Sequence, residues 1–293
     1  MNLIALVKTL RPQQWVKNLL FVAAPLVFSR HLTDHVYALR TALAVLAFCA
    51  LSGAVYAFND VRDVAADRAH PLKRHRPIAA GQLSERAAMI SAGVLAVGAL
   101  AGCAALDWRL AALAGAYLVQ NVAYSVKLKQ IAFLDVALIT SGFLLRVLGG
   151  AVAIDVPASE WLLICTALLA AFLGLGKRAH ELAWATRAGE VSTTRAALAG
   201  YRIEVVRLAM YALAVVTVIA YVAYTIDSRT VHFFGTDRLA YSSPFVALGI
   251  VRYLYIALWK PKDESPTEAM LKDPWFLLDS LAAAITVLYI IYG

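Results

Sequence analysis

The sequence predicts an all-α, polytopic membrane protein of about nine transmembrane helices, from its composition and the spacing of its apolar runs. Of the 293 residues, 61% are hydrophobic and only 16% are charged, with a mean hydropathy of +0.70. A soluble domain of this length would carry more charge and interrupt its apolar runs more often. Runs of about 20 apolar residues, the length that a helix needs to cross a bilayer, recur along the chain. The sequence lacks the short segments of alternating hydrophobicity that are typical of a membrane β-barrel.

The predicted spans follow one another along the chain with no long linker and no low-complexity segment. They cover approximately 15–30, 36–58, 86–106, 109–126, 131–154, 159–176, 205–226, 242–259 and 275–292. The first and the fourth are marginal by length and hydropathy. We therefore expect a single integral membrane domain over 1–293, with long charged connections at 59–86 and 177–204.

Lysine and arginine predict how the spans are oriented, because they accumulate in the cytoplasmic loops of membrane proteins. The N-terminus and the connections near 59–86, 127–129, 177–207 and 260–272 hold 20 of the 27 Lys and Arg residues. We expect that side, including the N-terminus, to be cytoplasmic. The net charge of +8 is then mainly a topology signal. We predict no nucleic-acid partner, because the basic residues lie between spans rather than on a separate soluble domain.

The stretch YAFNDVRDVAADRAHPLKRHRPIAAG, at 56–81, concentrates charge at the end of the second predicted span. Asn59, Asp63 and Asp67 are spaced four residues apart, so they form one line if that helix continues through them. Asp60 lies beside this line and is predicted to take part in substrate binding. Aligned carboxylates repel one another and need a cation, and hard oxygen ligands suit Mg²⁺, which commonly bridges carboxylates to substrate phosphates. The spacing predicts a magnesium site on Asn59, Asp63 and Asp67.

A basic segment follows directly, with Lys73, Arg74 and Arg76 before Pro77 and Gly81. Cations beside a metal site indicate a substrate with more negative charge than the metal neutralises, such as a diphosphate. The alternative is a solvated loop that obeys the positive-inside rule. That alternative explains the basic residues but not the line of acids, because acids contribute little to topology. We favour substrate binding.

Six stretches of the chain together resemble a known family. The pattern NDxxDxxxD followed by KRxRPIAAG is similar to the first aspartate motif of the UbiA superfamily of intramembrane prenyltransferases. Within that superfamily, the stretches resemble the branch of decaprenyl-phosphate phosphoribosyltransferases. They are LRPQQWVKNLLFVAAPL (10–26), NDVRDVAADRAHPLKRHRPIAAG (59–81), AYSVKLK (123–129), LLRVLGGAVA (144–153), LGKRAHEL (175–182) and IVRY (250–253).

The resemblance implies nine helices around a cavity open to the cytoplasm, in a bacterial cytoplasmic (inner) membrane. It implies an Mg²⁺-dependent glycosyltransferase that moves 5-phosphoribose from phosphoribosyl diphosphate to a polyprenyl phosphate, decaprenyl phosphate in this branch, with release of diphosphate. The branch serves the synthesis of decaprenyl-phosphoryl-arabinose and cell-wall arabinan. The sequence leaves open the polyprenyl length and whether the chain forms a homo-oligomer.

The resemblance also implies roles for residues outside the acidic line. Lys17 belongs to the RPQQWVKN block and is expected to bind phosphate, whereas Arg11 in the same block is expected to be a membrane anchor. Tyr124 and Lys127 match the superfamily's Y-[ST]-x-x-[LK]-K element. Substrate contact and a snorkelling belt at the membrane boundary are equally compatible with these two.

Lys177, Arg178 and Glu181 stand where ordinary prenyltransferases carry a second aspartate-rich motif. A mixed Lys-Arg-Glu face suits the added phosphates of a phosphorylated pentose and a lipid phosphate, because Arg can bind phosphate through two parallel hydrogen bonds. The alternative is a Lys177–Glu181 ion pair on a solvated helix end. Arg146, inside the fifth span, is expected to pair with a buried acid as a structural element. Arg252, in the eighth span, is expected either to play a similar role or, because IVRY matches the branch, to line the cavity.

Two other functions compete with phosphoribosyl transfer. The first is a UbiA-type prenyltransferase that joins an isoprenyl diphosphate to an aromatic acceptor, which the altered second motif disfavours. The second is a polytopic lipid transporter, which would spread charges across the membrane thickness and break its helices at mid-depth. Only Arg146 and Arg252 fit that pattern.

Overall fold

The computed structural model describes residues 2–70, 73–188, 198, 200–259 and 266–293, without the side chains of 184–188. Parts of the predicted 59–86, 177–204 and 260–272 connections therefore lie outside the described residues. In the described part of the chain all regular secondary structure is helical, which confirms the predicted all-α class. Its α-helices are α1 (Leu3–Leu10), α2 (Val16–Phe28), α3 (His35–Arg62), α4 (Val64–Ala69), α5 (Glu85–Leu106), α6 (Trp108–Val126), α7 (Leu134–Ala153), α8 (Glu160–Ala188), α9 (Ile203–Ile226), α10 (Ser228–Phe234), α11 (Ser243–Leu254), α12 (Pro266–Leu271) and α13 (Pro274–Tyr292).

A helix stands at each of the nine predicted windows, and seven are long and apolar enough to cross a membrane. Those seven are α3, α5, α7, α8, α9, the stretch Arg238–Trp259 that contains α11, and α13. The other two are the windows that were marginal in the sequence. α2 has only 13 residues, and α6 carries Arg109, Gln120 and Asn121. The number of crossings therefore stays a prediction.

The helices group into two compact units, and one of the three boundaries between the units falls within α7. The first unit comprises Met1–Val126 and Leu145–Ala158, and the second comprises Lys127–Leu144 and Ser159–Gly293. That the whole of 1–293 is a single membrane domain stays a prediction.

The first unit is packed around fully buried side chains of α2, α3 and α6, among them Val22, Phe48 and Leu110. The paired glycines of the LLRVLGGAVA stretch permit this packing. A Cβ on Gly150 would collide with the backbone carbonyl of Val22, and one on Gly149 would lie 2.7 Å from the Phe48 ring. α7 therefore approaches α2 and α3 more closely than any larger residue would allow.

The second unit has its own core, formed by α8, α9 and α11, in which Phe172, Met210 and Tyr253 are fully buried. A Cβ on Gly176 would lie 2.6 Å from the Tyr253 ring, so this glycine lets α8 approach α11. The Tyr253 hydroxyl donates to the Leu173 carbonyl over 3.0 Å, which satisfies the buried phenol. A π-helical turn, Tyr255–Trp259, follows α11.

Candidate active site

The line of Asn59, Asp63 and Asp67 lies where α3 ends and α4 begins. Asp63 departs from helical geometry, with φ −93° and ψ 7°. The one-turn backbone hydrogen bonds nevertheless continue, since Asp63 N–H donates to the Asn59 carbonyl over 2.9 Å and Asp67 N–H to the Asp63 carbonyl over 2.8 Å. The chain thus differs from the expected uninterrupted helix at one residue, and the three residues keep their one-turn spacing.

Two buried carboxylates meet two arginines in the first unit. The side chains of Asp60 and Asp67 are only 2% and 4% exposed, whereas those of Arg11 and Arg76 are 25% and 29% exposed. Asp60 Oδ1 accepts from Arg11 over 2.5 Å and from Arg76 over 3.2 Å. Asp67 Oδ2 accepts from the same nitrogen of Arg76 over 2.7 Å. We call these four residues the Asp60 cluster.

Arg11 was expected to be a membrane anchor, and the structure instead places it on Asp60. It ends α1 in the left-handed backbone region, with φ 53° and ψ 63°, a conformation that costs energy for a residue other than glycine. Its guanidinium lies 4.9 Å from the centre of the Tyr56 ring, close enough for a cation–π contact. The sequence offered no signal for this pairing, because Arg11 and Asp60 are 49 positions apart.

The loop after α4 is held in place by one buried apolar side chain and by one turn. Ile78 is 1% exposed and packs with Ala5 of α1 and Ala88 of α5. Gly81 ends the turn at φ 74°, where a side chain would be strained. This anchoring brings Arg76 to the Asp60 cluster. Lys73 and Arg74 lie exposed on the preceding short 3-10 turn.

The acidic line has the donor chemistry for the predicted magnesium ion, and the metal site itself stays a prediction. Asn59 Oδ1 is buried and finds no hydrogen-bond partner in the part of the chain that the structure describes, as expected for an oxygen that serves a ligand. Among the described residues, no three His, Cys, Asp or Glu side chains form a group that could hold a metal by themselves. Mg²⁺ is usually held by one or two carboxylates together with substrate phosphates. The residues therefore suit an ion that binds with its substrate.

Three other predicted residues, Lys17, Tyr124 and Lys127, lie at or just beyond helix ends. Lys17 is half-buried in the first turn of α2, next to the fully buried Asn18. Tyr124 is half-buried in the last turn of α6, and Lys127, just beyond that helix, is exposed and belongs to the second unit. Their substrate contacts stay predictions.

Arg146 has partners of a different kind from the buried acid that was expected. Its Nε donates to Asn18 Oδ1 over 2.7 Å and one terminal nitrogen donates to the Tyr117 hydroxyl over 2.8 Å. Ser52 joins the network through Tyr117 over 3.0 Å. Neutral oxygens thus receive these two guanidinium donors inside the first unit, and they fix α2 against α7.

A second group of charges lies in the second unit, around a completely buried Arg178. One terminal nitrogen of its guanidinium donates to Glu181 over 2.5 Å and lies 3.4 Å from Asp135. Its Nε and its other terminal nitrogen are buried, and neither finds an acceptor within the described ranges. Glu181 therefore accepts from the buried Arg178, and the alternative Lys177–Glu181 pair on a solvated helix end stays a prediction.

The sequence did not single out Asp135 and Tyr201, which complete this second group. Tyr201 donates to Asp135 Oδ1 over 2.5 Å, and its oxygen accepts the Phe133 N–H over 2.7 Å. Burial and the hydrogen bond to Asp135 both raise the pKa of Tyr201, so the phenol keeps its proton. An acid at the start of an apolar helix was the one available signal for Asp135. We call Asp135, Arg178, Glu181 and Tyr201 the Arg178 cluster.

Arg252 forms an ion pair with Asp273, as expected for a residue with a structural role. It forms two hydrogen bonds with the carboxylate of Asp273, over 2.9 and 2.7 Å. Asp273 also caps the N-terminus of α13 by accepting the Phe276 N–H over 2.9 Å. The pair therefore links α11 to α13.

A model of the UbiA prenyltransferase family matches residues 19–292, nearly the whole chain. The chain belongs to this family. The described residues include seven apolar helices that are long enough to span a membrane, which agrees with a multi-pass membrane transferase of the UbiA type.

Among UbiA relatives, a protein of Mycolicibacterium smegmatis named decaprenyl-phosphate phosphoribosyltransferase is 43% identical over 192 residues, which are 64% of this chain and 60% of that relative. A protein of the same name from Mycobacterium tuberculosis is 35% identical over 298 residues, covering 98% of this chain and 94% of the relative. The solved structure of a UbiA homolog from Archaeoglobus fulgidus, bound to GPP and Mg²⁺, has a TM-score of 0.73 and 18% identity, covering 99% of this chain and 100% of that one. This last likeness shows the fold.

Proposed function

We propose that this UbiA-family protein transfers a 5-phosphoribosyl group from phosphoribosyl diphosphate to a polyprenyl phosphate, with decaprenyl phosphate as the first candidate. The observation that carries the proposal is the Mycobacterium tuberculosis relative, which bears the name of this activity and matches 98% of the chain at 35% identity. The product would then enter the synthesis of decaprenyl-phosphoryl-arabinose and cell-wall arabinan.

The acidic line, the Asp60 cluster and the basic segment after α4 together support the proposal, because they combine oxygen donors for a metal with cations for a polyanion. Asn59, Asp63 and Asp67 would hold Mg²⁺, which lowers the charge of the bound diphosphate and improves it as a leaving group. Arg76, Lys73 and Arg74 would bind the remaining phosphate oxygens. Lys73 and Arg74 are exposed, and Arg76 is partly exposed. An anion that arrives from solution could therefore reach all three side chains.

The proposed reaction exchanges one C–O bond for another at the ribose C1 atom. An oxygen of the lipid phosphate forms a bond to C1, the bond from C1 to the diphosphate oxygen breaks, and the electron pair leaves with the diphosphate. The nucleophile is already ionised, so no general base is required. The side chains of the protein therefore act by positioning the substrates and by stabilising developing charge.

The remaining predicted residues are assigned to the two phosphates that ordinary prenyl transfer lacks, the ribose 5-phosphate and the lipid phosphate. Arg178 supports this assignment, because its Nε and one terminal nitrogen are without acceptors in the described residues and form the edge of a guanidinium that binds phosphate with two hydrogen bonds. The full set proposed for these contacts is Lys17, Tyr124, Lys127, Lys177, Arg178 and Glu181.

We test the proposal with purified protein in detergent, supplied with phosphoribosyl diphosphate, decaprenyl phosphate and Mg²⁺. Mass spectrometry of the lipid fraction should show decaprenyl phosphate gaining one phosphoribosyl group, and EDTA should abolish the product. A parallel reaction offers an isoprenyl diphosphate and 4-hydroxybenzoate. Product in that reaction alone would overturn the assignment in favour of aromatic prenylation. Turnover in detergent without any gradient would exclude a transporter.

The proposed location is the bacterial inner membrane with a cytoplasmic N-terminus, since both proposed substrates would meet the basic side of the chain there. Reporter fusions at residues before α1 and after α13 test the orientation. A cytoplasmic reporter active at the C-terminus as well would contradict an odd number of crossings.

A further inference from the structure

Arg76 occupies a position in the Asp60 cluster that a bound metal would need. A single nitrogen of its guanidinium contacts both carboxylates, Asp60 over 3.2 Å and Asp67 over 2.7 Å. The shorter contact is to Asp67, one of the residues proposed to hold the divalent cation. Arg76 therefore already neutralises Asp67 in the structure.

A divalent cation on Asp67 and a guanidinium on the same carboxylate would repel each other strongly. Both carboxylates of the cluster are almost completely buried, so water and salt screen charges there much less than at an open surface. The metal and Arg76 consequently compete for Asp67. With Arg76 in place, two carboxylates face two guanidinium groups, and a metal ion alone gains little by entering.

Asp60 is built to retain its arginines. It pairs with Arg11 and Arg76 at once. Arg11 is held by its own backbone turn and by the Tyr56 ring, and α1 packs on α3 with Leu10 against Gly53. Asp60 is thus in contact with fixed cations and is poorly placed to act as a ligand itself.

We propose that Arg76 is a transferable counter-ion. It pairs with Asp67 before substrate binds and passes to the diphosphate when diphosphate and metal enter together, while Asp60 acts as a positioning residue that keeps Arg76 and Arg11 at the cluster. This inference rests on the proposed function only in taking the substrate to be a diphosphate that binds with a divalent cation. It implies that the metal binds weakly alone and tightly with diphosphate.

The test measures Mn²⁺ binding to the purified full-length protein by electron paramagnetic resonance, with and without pyrophosphate. In the wild type, pyrophosphate should tighten Mn²⁺ binding by about tenfold or more. Arg76→Gln should tighten the binding of Mn²⁺ alone by about tenfold and lose most of the enhancement by pyrophosphate. Weaker or unchanged Mn²⁺ binding in this variant, or a full pyrophosphate effect, would overturn the inference.

A control variant separates this role from general charge effects. Arg68→Gln removes the same charge from an exposed position one residue beyond Asp67 and should change Mn²⁺ binding by less than about twofold. A change in Arg68→Gln as large as the change in Arg76→Gln would contradict the proposal.

Failure of this inference differs visibly from failure of the proposed function. A protein that used an isoprenyl diphosphate would form no phosphoribosyl lipid yet would still show the linked binding of Mn²⁺ and pyrophosphate. A phosphoribosyltransferase without a transferable counter-ion would form the lipid product and show equal Mn²⁺ affinity in Arg76→Gln and in the wild type.

Discussion

The Asp60 cluster and the Arg178 cluster both pair arginine with buried carboxylates, but they differ in the exposure of the arginine. In the first, the carboxylates are buried and the arginines are about a quarter exposed. In the second, the arginine and the Asp135 carboxylate are completely buried, and only the Glu181 carboxylate is 29% exposed. A cation at the surface of a cluster can meet an incoming anion at little cost, whereas a buried arginine has already lost its hydration and must be paired. The difference indicates that the first cluster is organised for ligand exchange and the second for holding one guanidinium in place.

The largest expected effect comes from removing a carboxylate that is proposed to hold the metal. Asp67→Asn, and likewise Asp63→Asn, should lower kcat/KM for phosphoribosyl transfer by about 10³-fold, because the oxygens that hold the cation lose their charge. The protein should remain monodisperse on size-exclusion chromatography, since Asn matches the shape of Asp. Rates within tenfold of the wild type in both variants would remove these residues from the metal site.

The next effect tests whether the second cluster is held together by charge. Arg178→Met should destabilise the protein by about 3–5 kcal/mol, because Asp135 is left buried without its cation. Thermal unfolding in detergent measures the loss. The matched control is the double variant Asp135→Asn with Arg178→Met, which removes both charges and should recover much of the stability while activity stays lost. Recovery of activity with stability would show that Arg178 has only a structural role.

A smaller effect should follow from the hydroxyl of Tyr201. Tyr201→Phe removes the donor to Asp135 and the acceptor of the Phe133 N–H, which should cost about 1–3 kcal/mol of stability. Thermal unfolding again provides the measurement. Tyr211→Phe, on the exposed side of α9, serves as the control and should unfold like the wild type. Equal stability of the two variants would mean that the Asp135 hydrogen bond contributes nothing net.

The smallest effect concerns Lys127, which is exposed beyond α6. Lys127→Ala should raise the KM for the polyprenyl phosphate by less than about fivefold, because exposed charges interact weakly through water. Steady-state kinetics with a fixed excess of phosphoribosyl diphosphate test this. A loss as large as that of Asp67→Asn would place Lys127 directly on a substrate phosphate and would weaken the contrast between exposed and buried contacts.

Much of the fold was predictable, because helices depend on local properties of the chain. A helical span needs an apolar run of sufficient length and hydrogen bonds between residues four apart, and a helix stands at each of the nine predicted windows. The acidic line was also visible, since the spacing of Asn59, Asp63 and Asp67 is a property of one segment. The non-helical backbone geometry of Asp63 was not predictable, because it leaves no mark in the spacing.

The sequence by itself determined which segments are apolar enough to become helices and which residues carry charge at their ends, because both follow from neighbours along the chain. Only the tertiary structure decided the partners of those charges. Arg11 meets Asp60 across 49 positions, Tyr201 meets Asp135 across 66, and Arg146 meets Asn18 across 128. Such pairs form because desolvated charges must find partners once the helices pack, and the packing depends on small contacts such as Gly150 against Val22.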